Sequence, residues 1–237
     1  MSDAHGQRLA TCYTPVIMVI TIDGPAGAGK STVARKLAAR LELPYLDTGA
    51  MYRAIALTAM QQGVELSDTA QLIELARRTR LEVDCGPTHS RVRVDGHDVS
   101  EAIRTMSVNQ ATPFVAGVQA IRDVLVDKQR EIGRGLGSFV TEGRDQGSVV
   151  FPQAEVKFVL DGSPEKRAQR RHQEMLAEGE DIDYETVLRN VVLRDANDAK
   201  QWAALLIPGA AIHIDTSRMS ISEVVDRLVG HIQQFTG

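Results

Sequence analysis

The sequence is poor in cysteine and has no excess of positive charge, and each shortage excludes a class of protein. Its two cysteines, Cys12 and Cys85, fit neither a CxxC pair nor a zinc-ligand spacing, so free thiols in a reducing compartment are expected. The chain has 27 Lys and Arg against 31 Asp and Glu, a net charge of −4. That balance gives no reason to expect a nucleic-acid partner.

Long hydrophobic runs are also missing. The longest apolar run near the N-terminus, residues 16–22, is far too short to span a bilayer. Residues 1–14 contain neither an apolar h-region nor a small-residue cleavage site, so a disordered tail is expected there rather than a signal peptide. The prediction is a cytoplasmic protein with no membrane partner, acting as a monomer.

What the chain does contain is an alternation of β-branched runs with segments of helical spacing. Residues 16–22 form a continuous apolar run, and residues 31–41 follow it with apolar positions at helical spacing. Alternating strands and helices predict an α/β fold with a doubly wound parallel sheet, in one domain over residues 15–237. The other predicted core elements are strands at 44–47, 139–142, 156–160 and 212–214, and helices at 49–62 and 118–132.

One stretch breaks this alternation. Residues 81–84 and 91–95 alternate with a two-residue period, and Gly86-Pro87 and Asp95-Gly96 mark turns. They predict a small antiparallel insert over about residues 63–103. Asp68, with Gln71 three residues on, opens a helix within it.

A polar helical segment lies nearer the C-terminus. Ser163-Pro164-Glu165 is a strong helix start, and the two helices predicted over residues 166–200 have only a thin apolar stripe. A mobile helical hairpin, or lid, is therefore predicted over about residues 163–200. Ser220 and Glu223 form a capping box for the last helix.

The glycine-rich turn after the first strand carries the strongest motif. Residues 24–31 match the pattern G-x-x-x-x-G-K-[ST] throughout, and the motif lies between a predicted strand and helix, as its mechanism requires. Backbone amides cradle phosphate oxygens, Lys30 reaches the β and γ phosphates, and the Ser31 hydroxyl binds Mg²⁺. The nucleotide-binding candidates are Gly24, Pro25, Ala26, Gly27, Ala28, Gly29, Lys30, Ser31 and Thr32.

This motif does not identify the second substrate, because kinases, switch GTPases and ATPases share it. Neither an Asn-Lys-x-Asp guanine-recognition motif nor an ABC-type signature is visible. The chain instead places Arg53 and Arg144 near predicted strand ends, where doubly wound sheets bind ligands. Phosphoryl transfer between two nucleotides brings two polyanions together and requires such cations.

Three stretches carry a specific resemblance: IDGPAGAGKST at 22–32, LDTGAMYR at 46–53 and EGRDQGSVVFP at 142–152. They resemble the bacterial-type cytidylate kinase family, and the similarity covers about residues 16–237. The resemblance implies that the γ-phosphoryl group of ATP, with Mg²⁺, is transferred to CMP or dCMP.

The resemblance also implies roles for individual residues. Arg53 and Arg144 would hold the acceptor phosphate, while Asp145 and Arg122 would contact the cytosine. No catalytic base is needed, because a nucleoside monophosphate has a second pKa of about 6 and is already a dianion at neutral pH. The catalytic candidates are Lys30, Arg53, Arg144 and Arg194; the further acceptor-site candidates are Thr48 and Asp198; and Arg167, Arg170 and Arg171 would close over the ATP phosphates.

Some positions depart from the family pattern or stay open. Glu142 stands where the family usually has Asp near the metal, and Asp23 either plays an outer-sphere role or fixes the turn. Pro113 replaces a serine that usually contacts the base, and Gln201 replaces a second lid arginine.

Three alternatives therefore remain at this point. The acceptor could be UMP, AMP or shikimate, the protein could be a nucleotide-dependent switch or ATPase without an acceptor, or it could be a catalytically weak paralogue. Acceleration of ADP release by CMP separates the leading interpretation, a CMP kinase, from a switch or ATPase.

Overall fold

The computed structural model describes residues 17–177 and 179–236, without the side chains of 197–203 and 236. The predicted tail, Cys12 and the side chains of Asp198 and Gln201 lie outside the described residues. No helix within the described ranges is both long and apolar enough to cross a bilayer.

Sixteen helices and strands, besides short turns of helix, follow one another along the described chain. In chain order they are β1 (Val19–Asp23), α1 (Lys30–Leu41), β2 (Tyr45–Asp47), α2 (Thr48–Gln61), α3 (Thr69–Arg78), β3 (Leu81–Cys85), β4 (Ser90–Val94), β5 (His97–Asp98), α4 (Met106–Ala116), α5 (Gln119–Leu136), β6 (Phe139–Glu142), β7 (Val156–Asp161), α6 (Pro164–Ala177), α7 (Tyr184–Trp202), β8 (Ile212–Asp215) and α8 (Ile221–Thr236).

A five-stranded parallel sheet of spatial order β2-β6-β1-β7-β8 forms the centre, which confirms the predicted α/β class. Its register brings acidic residues to one edge. Ile22 and Asp47 both pair with Glu142, and Asp23 follows Ile22 directly. Since the strands are parallel, their carboxyl ends meet at the same edge, where ligands of such sheets bind.

One hydrophobic core lies between this sheet and helices α1 and α8. It includes Ile20 and Phe158 from the strands, Val33 and Leu37 from α1 and Leu228 from α8, all fully buried. The β-branched and aromatic strand residues are apolar on both faces because the sheet is covered by helices. This core fixes the strand ends that carry the site.

A second core joins α2, α3, α4 and α5 to the antiparallel sheet β3-β4-β5. Leu81 pairs with Val94 and Val83 with Val92, so the apolar residues of the two alternating segments share one face of the sheet. Asp68 caps α3 by accepting from the backbone N of Gln71 at 3.0 Å. The antiparallel sheet is therefore confirmed, while the functional boundaries of the insert stay a prediction.

Helix α4 was not predicted from the sequence. It contains Pro113 at an exposed position, and the helix continues beyond it because Gly117 donates its backbone N–H to the Pro113 carbonyl at 2.9 Å. Proline lacks the N–H that would bond the carbonyl of Asn109 four residues earlier. Burial of Val108, Ala111 and Val115 at helical spacing stabilises the helix despite that loss.

The capping box of the last helix generates a stability prediction. Ser220 donates its hydroxyl to Glu223 Oε2 at 2.7 Å, and the Ser220 backbone N donates to the same atom at 2.8 Å. Replacing Ser220 by Ala should lower the free energy of unfolding by about 1 kcal/mol, since the helix loses its side-chain cap. Chemical denaturation measures this change.

Ser222→Ala is the matched control, because Ser222 is an exposed residue inside the same helix. Its effect should stay within about 0.5 kcal/mol. Equal losses in the two variants would contradict the assigned cap.

Candidate active site

The phosphate-binding loop, residues 24–31, connects β1 to α1 and depends on glycine for its shape. Gly24 has φ +138°, and a Cβ atom there would lie 2.0 Å from the carbonyl oxygen of Leu160 in β7. Gly29 has φ +84° and forms the N-cap of α1. The loop therefore presents the N-terminus of a helix at the end of a central strand, a geometry that attracts phosphate.

Lys30 is buried at the start of α1, and its Nζ donates to the carbonyl oxygen of Pro25 at 2.8 Å. Burial lowers the pKa of Lys30, and the nearby guanidinium groups of Arg144 and Arg194 lower it further, while Glu142 and Asp23 act in the opposite direction. Side chains from three distant parts of the chain therefore meet around one ammonium group. An anion bound among them would favour its charged form.

Ser31 and Glu142 supply the oxygen atoms that a magnesium ion would require. The Ser31 hydroxyl donates to Glu142 Oε1 at 2.8 Å, and burial, with Asp47 nearby, raises the pKa of Glu142. A hydroxyl and a carboxylate are hard ligands, and Mg²⁺ typically takes one or two of them together with substrate phosphates and water. The described residues contain no cluster of three or more His, Cys, Asp or Glu for a metal. This donor set fits a metal carried in with a nucleotide.

Asp23, the last residue of β1, connects the phosphate-binding loop to residues 143–150, which we call the Arg144 turn. Its two carboxylate oxygens accept from the backbone N–H groups of Gln146 and Gly147, each at 2.8 Å. Burial, with Asp145 nearby, raises the pKa of Asp23 to about 6, against the lowering effect of these hydrogen bonds. These contacts fix the Arg144 turn, which is neither of the two roles that the sequence left open for Asp23.

Asp47 holds the first of the arginines predicted to bind the acceptor. Its carboxylate caps α2 by accepting from the backbone N of Ala50 at 2.9 Å, and it lies 3.1 Å from Arg53 Nη2. Arg104 approaches the same carboxylate at 3.8 Å. The Nε atom of Arg53 is buried and has no hydrogen-bond partner within the described part of the chain. A buried, unpaired donor indicates a place for an anionic acceptor.

Asp145 and Arg122, predicted together, are in direct contact. Arg122 donates to Asp145 Oδ2, and both side chains are largely buried. The Gln146 amide lies beside the other carboxylate oxygen, Oδ1, at 3.4 Å, and it also donates to Gln129 Oε1 at 3.2 Å. The Asp145 carboxylate is thus held in one orientation by groups from α5 and from its own turn.

Thr48, Arg144 and Arg194 approach the same edge of the sheet from three elements. The Thr48 hydroxyl donates to the carbonyl oxygen of Glu142 at 2.7 Å and so fixes the start of α2 against β6. Arg144 is half-buried in its turn, and Arg194 is exposed on α7. Both arginines lie near enough to Lys30 to lower its pKa.

The arginines of α6 occupy different environments. Arg167 is buried, and its guanidinium donates to the carbonyl oxygens of Gly162 at 2.8 Å and Ala26 at 3.0 Å, and to Asp195 of α7. Arg170 and Arg171 are directed elsewhere, since Arg170 binds Thr216 and Arg171 lies 3.3 Å from Glu174. Arg167 therefore links the phosphate-binding loop to both helices of the hairpin.

Three residues of the site were not among the candidates: Asp47, Gln146 and Asp195. Asp47 carried a usable signal, because an Asp between a predicted strand and a predicted helix is a typical N-cap. Gln146 was marked only by its place in the stretch 142–152, and no spacing pattern marked Asp195, since its partner is distant in sequence. Arg167 and Asp195, for example, are 28 residues apart.

Comparisons with known proteins agree with one another. A family model described as cytidylate kinase matches residues 20–234. A cytidylate kinase of Caldanaerobacter subterraneus subsp. tengcongensis is 44% identical over 218 residues, which cover 92% of this chain and 95% of that protein. A cytidylate kinase of Desulforamulus reducens is 45% identical over 216 residues, or 91% and 96% of the two chains.

A solved structure adds support for the fold alone. An uncharacterized protein of Eubacterium ventriosum superimposes with a TM-score of 0.51 at 14% identity, covering 92% of this chain and 99% of the other.

The buried Asp23 generates a prediction about pH. A carboxyl whose pKa is higher in the folded state stabilises the fold fully below its unfolded pKa of about 4, and this contribution is lost as the pH rises through about 6. Asp23→Asn removes this dependence. The free energy of unfolding of the variant should therefore rise relative to the wild type by about 2 kcal/mol between pH 4.5 and pH 7.

Denaturant titrations of both proteins at matched pH values measure the difference, in which the contributions of other titrating groups cancel. A difference that stays constant over this range would contradict the raised pKa.

Proposed function

The chain belongs to the cytidylate kinase family, and from this we propose that it transfers the γ-phosphoryl group of ATP to CMP or dCMP. The observation that carries the proposal beyond the family is the convergence of Arg144 and Arg194 on the buried Lys30. A cluster of three cations at the end of a phosphate-binding loop suits two polyphosphate chains that meet there. A nucleotide switch can use one arginine finger on its own phosphates, whereas two arginines beside Lys30 suit a site that also holds an acceptor phosphate.

The donor half is the phosphate-binding loop with Lys30 and Ser31. Its amides and the N-terminus of α1 hold the β and γ phosphates of ATP, and Lys30 leaves the Pro25 carbonyl to bind them. Ser31 and Glu142 hold Mg²⁺, which neutralises charge on the phosphates of the donor. The longer Glu142 side chain replaces Asp without loss of the carboxylate.

The acceptor half lies across the sheet edge. Arg53 and Arg144 bind the phosphate of CMP, and the buried, unpaired Nε of Arg53 supports this role because a phosphate oxygen would satisfy it. Asp145, held by Arg122, accepts a hydrogen bond from the cytosine amino group. Thr48, Arg194 and Asp198 complete the contacts to the acceptor.

Chemistry in this site requires positioning rather than a base. The CMP phosphate is already a dianion near neutral pH, so its oxygen attacks the γ-phosphorus in line without proton removal. The insert, residues 63–103, positions CMP, and the lid, residues 163–200, closes over ATP. Arg167 already contacts the Ala26 carbonyl of the phosphate-binding loop, whereas Arg171 must leave Glu174 to reach the donor phosphates. Closure expels water that would otherwise hydrolyse the donor. The protein acts as a cytoplasmic monomer.

The proposal predicts which acceptors accelerate ADP release. In a coupled assay with MgATP, CMP and dCMP should accelerate ADP formation at least about 100-fold over ATP alone, because a bound acceptor completes the site. UMP and AMP should give a kcat/KM at least about tenfold lower than CMP, since they do not present the same amino group to Asp145. CMP is expected to remain the preferred acceptor although Pro113 replaces the serine that usually contacts the base. Equal use of UMP or AMP would contradict this specificity.

Two variants serve as controls for this assay. Lys30→Ala should nearly eliminate transfer, which shows that the activity belongs to this chain. Arg144→Ala should chiefly weaken the use of CMP. Wild-type activity in Lys30→Ala would contradict the role of that lysine.

A further inference from the structure

The two halves of the site are joined by one buried carboxylate. Asp23 is fully buried and directly precedes Gly24, the first residue of the phosphate-binding loop. Its two oxygens accept from the consecutive N–H groups of Gln146 and Gly147, which follow Arg144 and Asp145 directly. Four residues of β1, Val19–Ile22, pair in parallel with the four residues of β6, and that pairing ends at Glu142.

Beyond Glu142, the Arg144 turn must be fixed by other contacts. Its residues Gln146–Val150 form a single π-helical turn, a rare conformation with poor intrinsic stability. Helical turns leave their first N–H groups without partners inside the turn, and the Asp23 carboxylate accepts two of them. Arg130 of α5 donates to the carbonyl oxygens of Val149 and Val150 at the far end of the turn. The start of the turn is held by Asp23, 124 positions before Gly147 and at the base of the donor site.

We propose that Asp23 is a positioning residue that holds the Arg144 turn in register with the phosphate-binding loop, and so controls how the acceptor binds. The inference rests on the proposed function. Asp23 touches neither substrate in this assignment; it acts through the placement of Arg144 and Asp145. Two carboxylate oxygens facing two N–H groups leave little freedom, so a small displacement of the turn would move both acceptor contacts together.

The space around Gly147, the residue that donates to Asp23 Oδ2, is too small for a side chain. A Cβ atom on Gly147 would lie 2.8 Å from Thr21 Oγ1 and 3.3 Å from Asp23 Oδ2. The Thr21 hydroxyl is itself buried without a hydrogen-bond partner among the described residues, so it offers no alternative attachment for the turn. Gly147→Ala therefore displaces the turn from Asp23 without changing any charge.

A second reading of Asp23 is that it acts only through its charge on Lys30, whose pKa it raises. The two readings differ for Asp23→Glu, which keeps the charge but forces a longer side chain into a fully buried place. They differ again for Gly147→Ala, which keeps both the charge and the carboxylate. Positioning predicts a defect in each variant, whereas a charge effect predicts none in either.

The test is steady-state kinetics of Asp23→Asn, Asp23→Glu and Gly147→Ala with MgATP and CMP. In Asp23→Asn, the carboxamide can accept from one N–H group while its NH₂ group faces the other. We expect KM for CMP to rise at least about tenfold in all three variants, and KM for ATP to change less than about threefold. An unchanged KM for CMP in Asp23→Asn and Gly147→Ala, with an active wild type, would overturn the inference.

Gly230→Ala is the matched control, because an added Cβ there meets no atom within 4 Å and the residue lies on α8, away from the site. It should leave both KM values unchanged. An inactive wild type would instead count against the proposed function, so the two failures are distinguishable.

Amide hydrogen exchange tests the contact in the protein alone, without substrates and without an activity measurement. The Gln146 and Gly147 amides should be protected in the wild type and should exchange at least about tenfold faster in Asp23→Asn, as the loss of a buried hydrogen bond implies. Thermal melts confirm that the variant is folded. Equal protection in a folded variant would overturn the inference even if kinetics changed.

Discussion

Positive charge gathered around Lys30 is the constraint on which the rest of this site depends. Burial is the main reason that the pKa of Lys30 falls, and in the absence of an anion the guanidinium groups of Arg144 and Arg194 lower it further. The fold tolerates this arrangement because carboxylates stand beside the cations. Glu142 and Asp23 act directly on Lys30 in the opposite direction.

The same arrangement of acid beside base recurs around the site. Arg53 pairs with Asp47, Arg122 with Asp145, and Arg167 with Asp195. Each acid holds its arginine in a defined orientation, which a long side chain would not keep by itself. Local pairing of this kind also explains how a chain with a net charge of −4 can build a site for two polyanions.

The parallel sheet brings these charged residues together at one edge, where they form a single site. Asp23, Asp47 and Glu142 each end a neighbouring strand, and the loops or helices that follow carry Lys30, Arg53 and Arg144. Strand register therefore decides which cations meet. The magnesium ligands, the donor loop and the acceptor residues all depend on the hydrophobic core beneath that keeps β1, β2 and β6 aligned.

The sequence was sufficient for features encoded by neighbouring residues. The phosphate-binding loop, the caps at Asp68 and Ser220 and the antiparallel pair β3 and β4 all follow from local pattern and turn chemistry. Helix α4 was missed because Pro113 argues against a helix locally, while burial of its other face stabilises it.

Features held by distant partners could not be predicted in the same way. The π-helical turn after Arg144 is held by Asp23, 124 residues before Gly147, and no spacing rule connects them. The resemblance to a family named most candidate residues, but it could not show which acid holds which arginine. Which acid pairs with which arginine is seen only in the three-dimensional structure.

In the proposed function, the cations gathered around Lys30 serve transfer between two nucleotides rather than hydrolysis of one. A ³¹P NMR time course of the protein with MgATP and CMP tests it most directly. We expect the ADP and CDP signals to grow in equal amounts as ATP and CMP disappear. Growth of ADP and inorganic phosphate without CDP would contradict it.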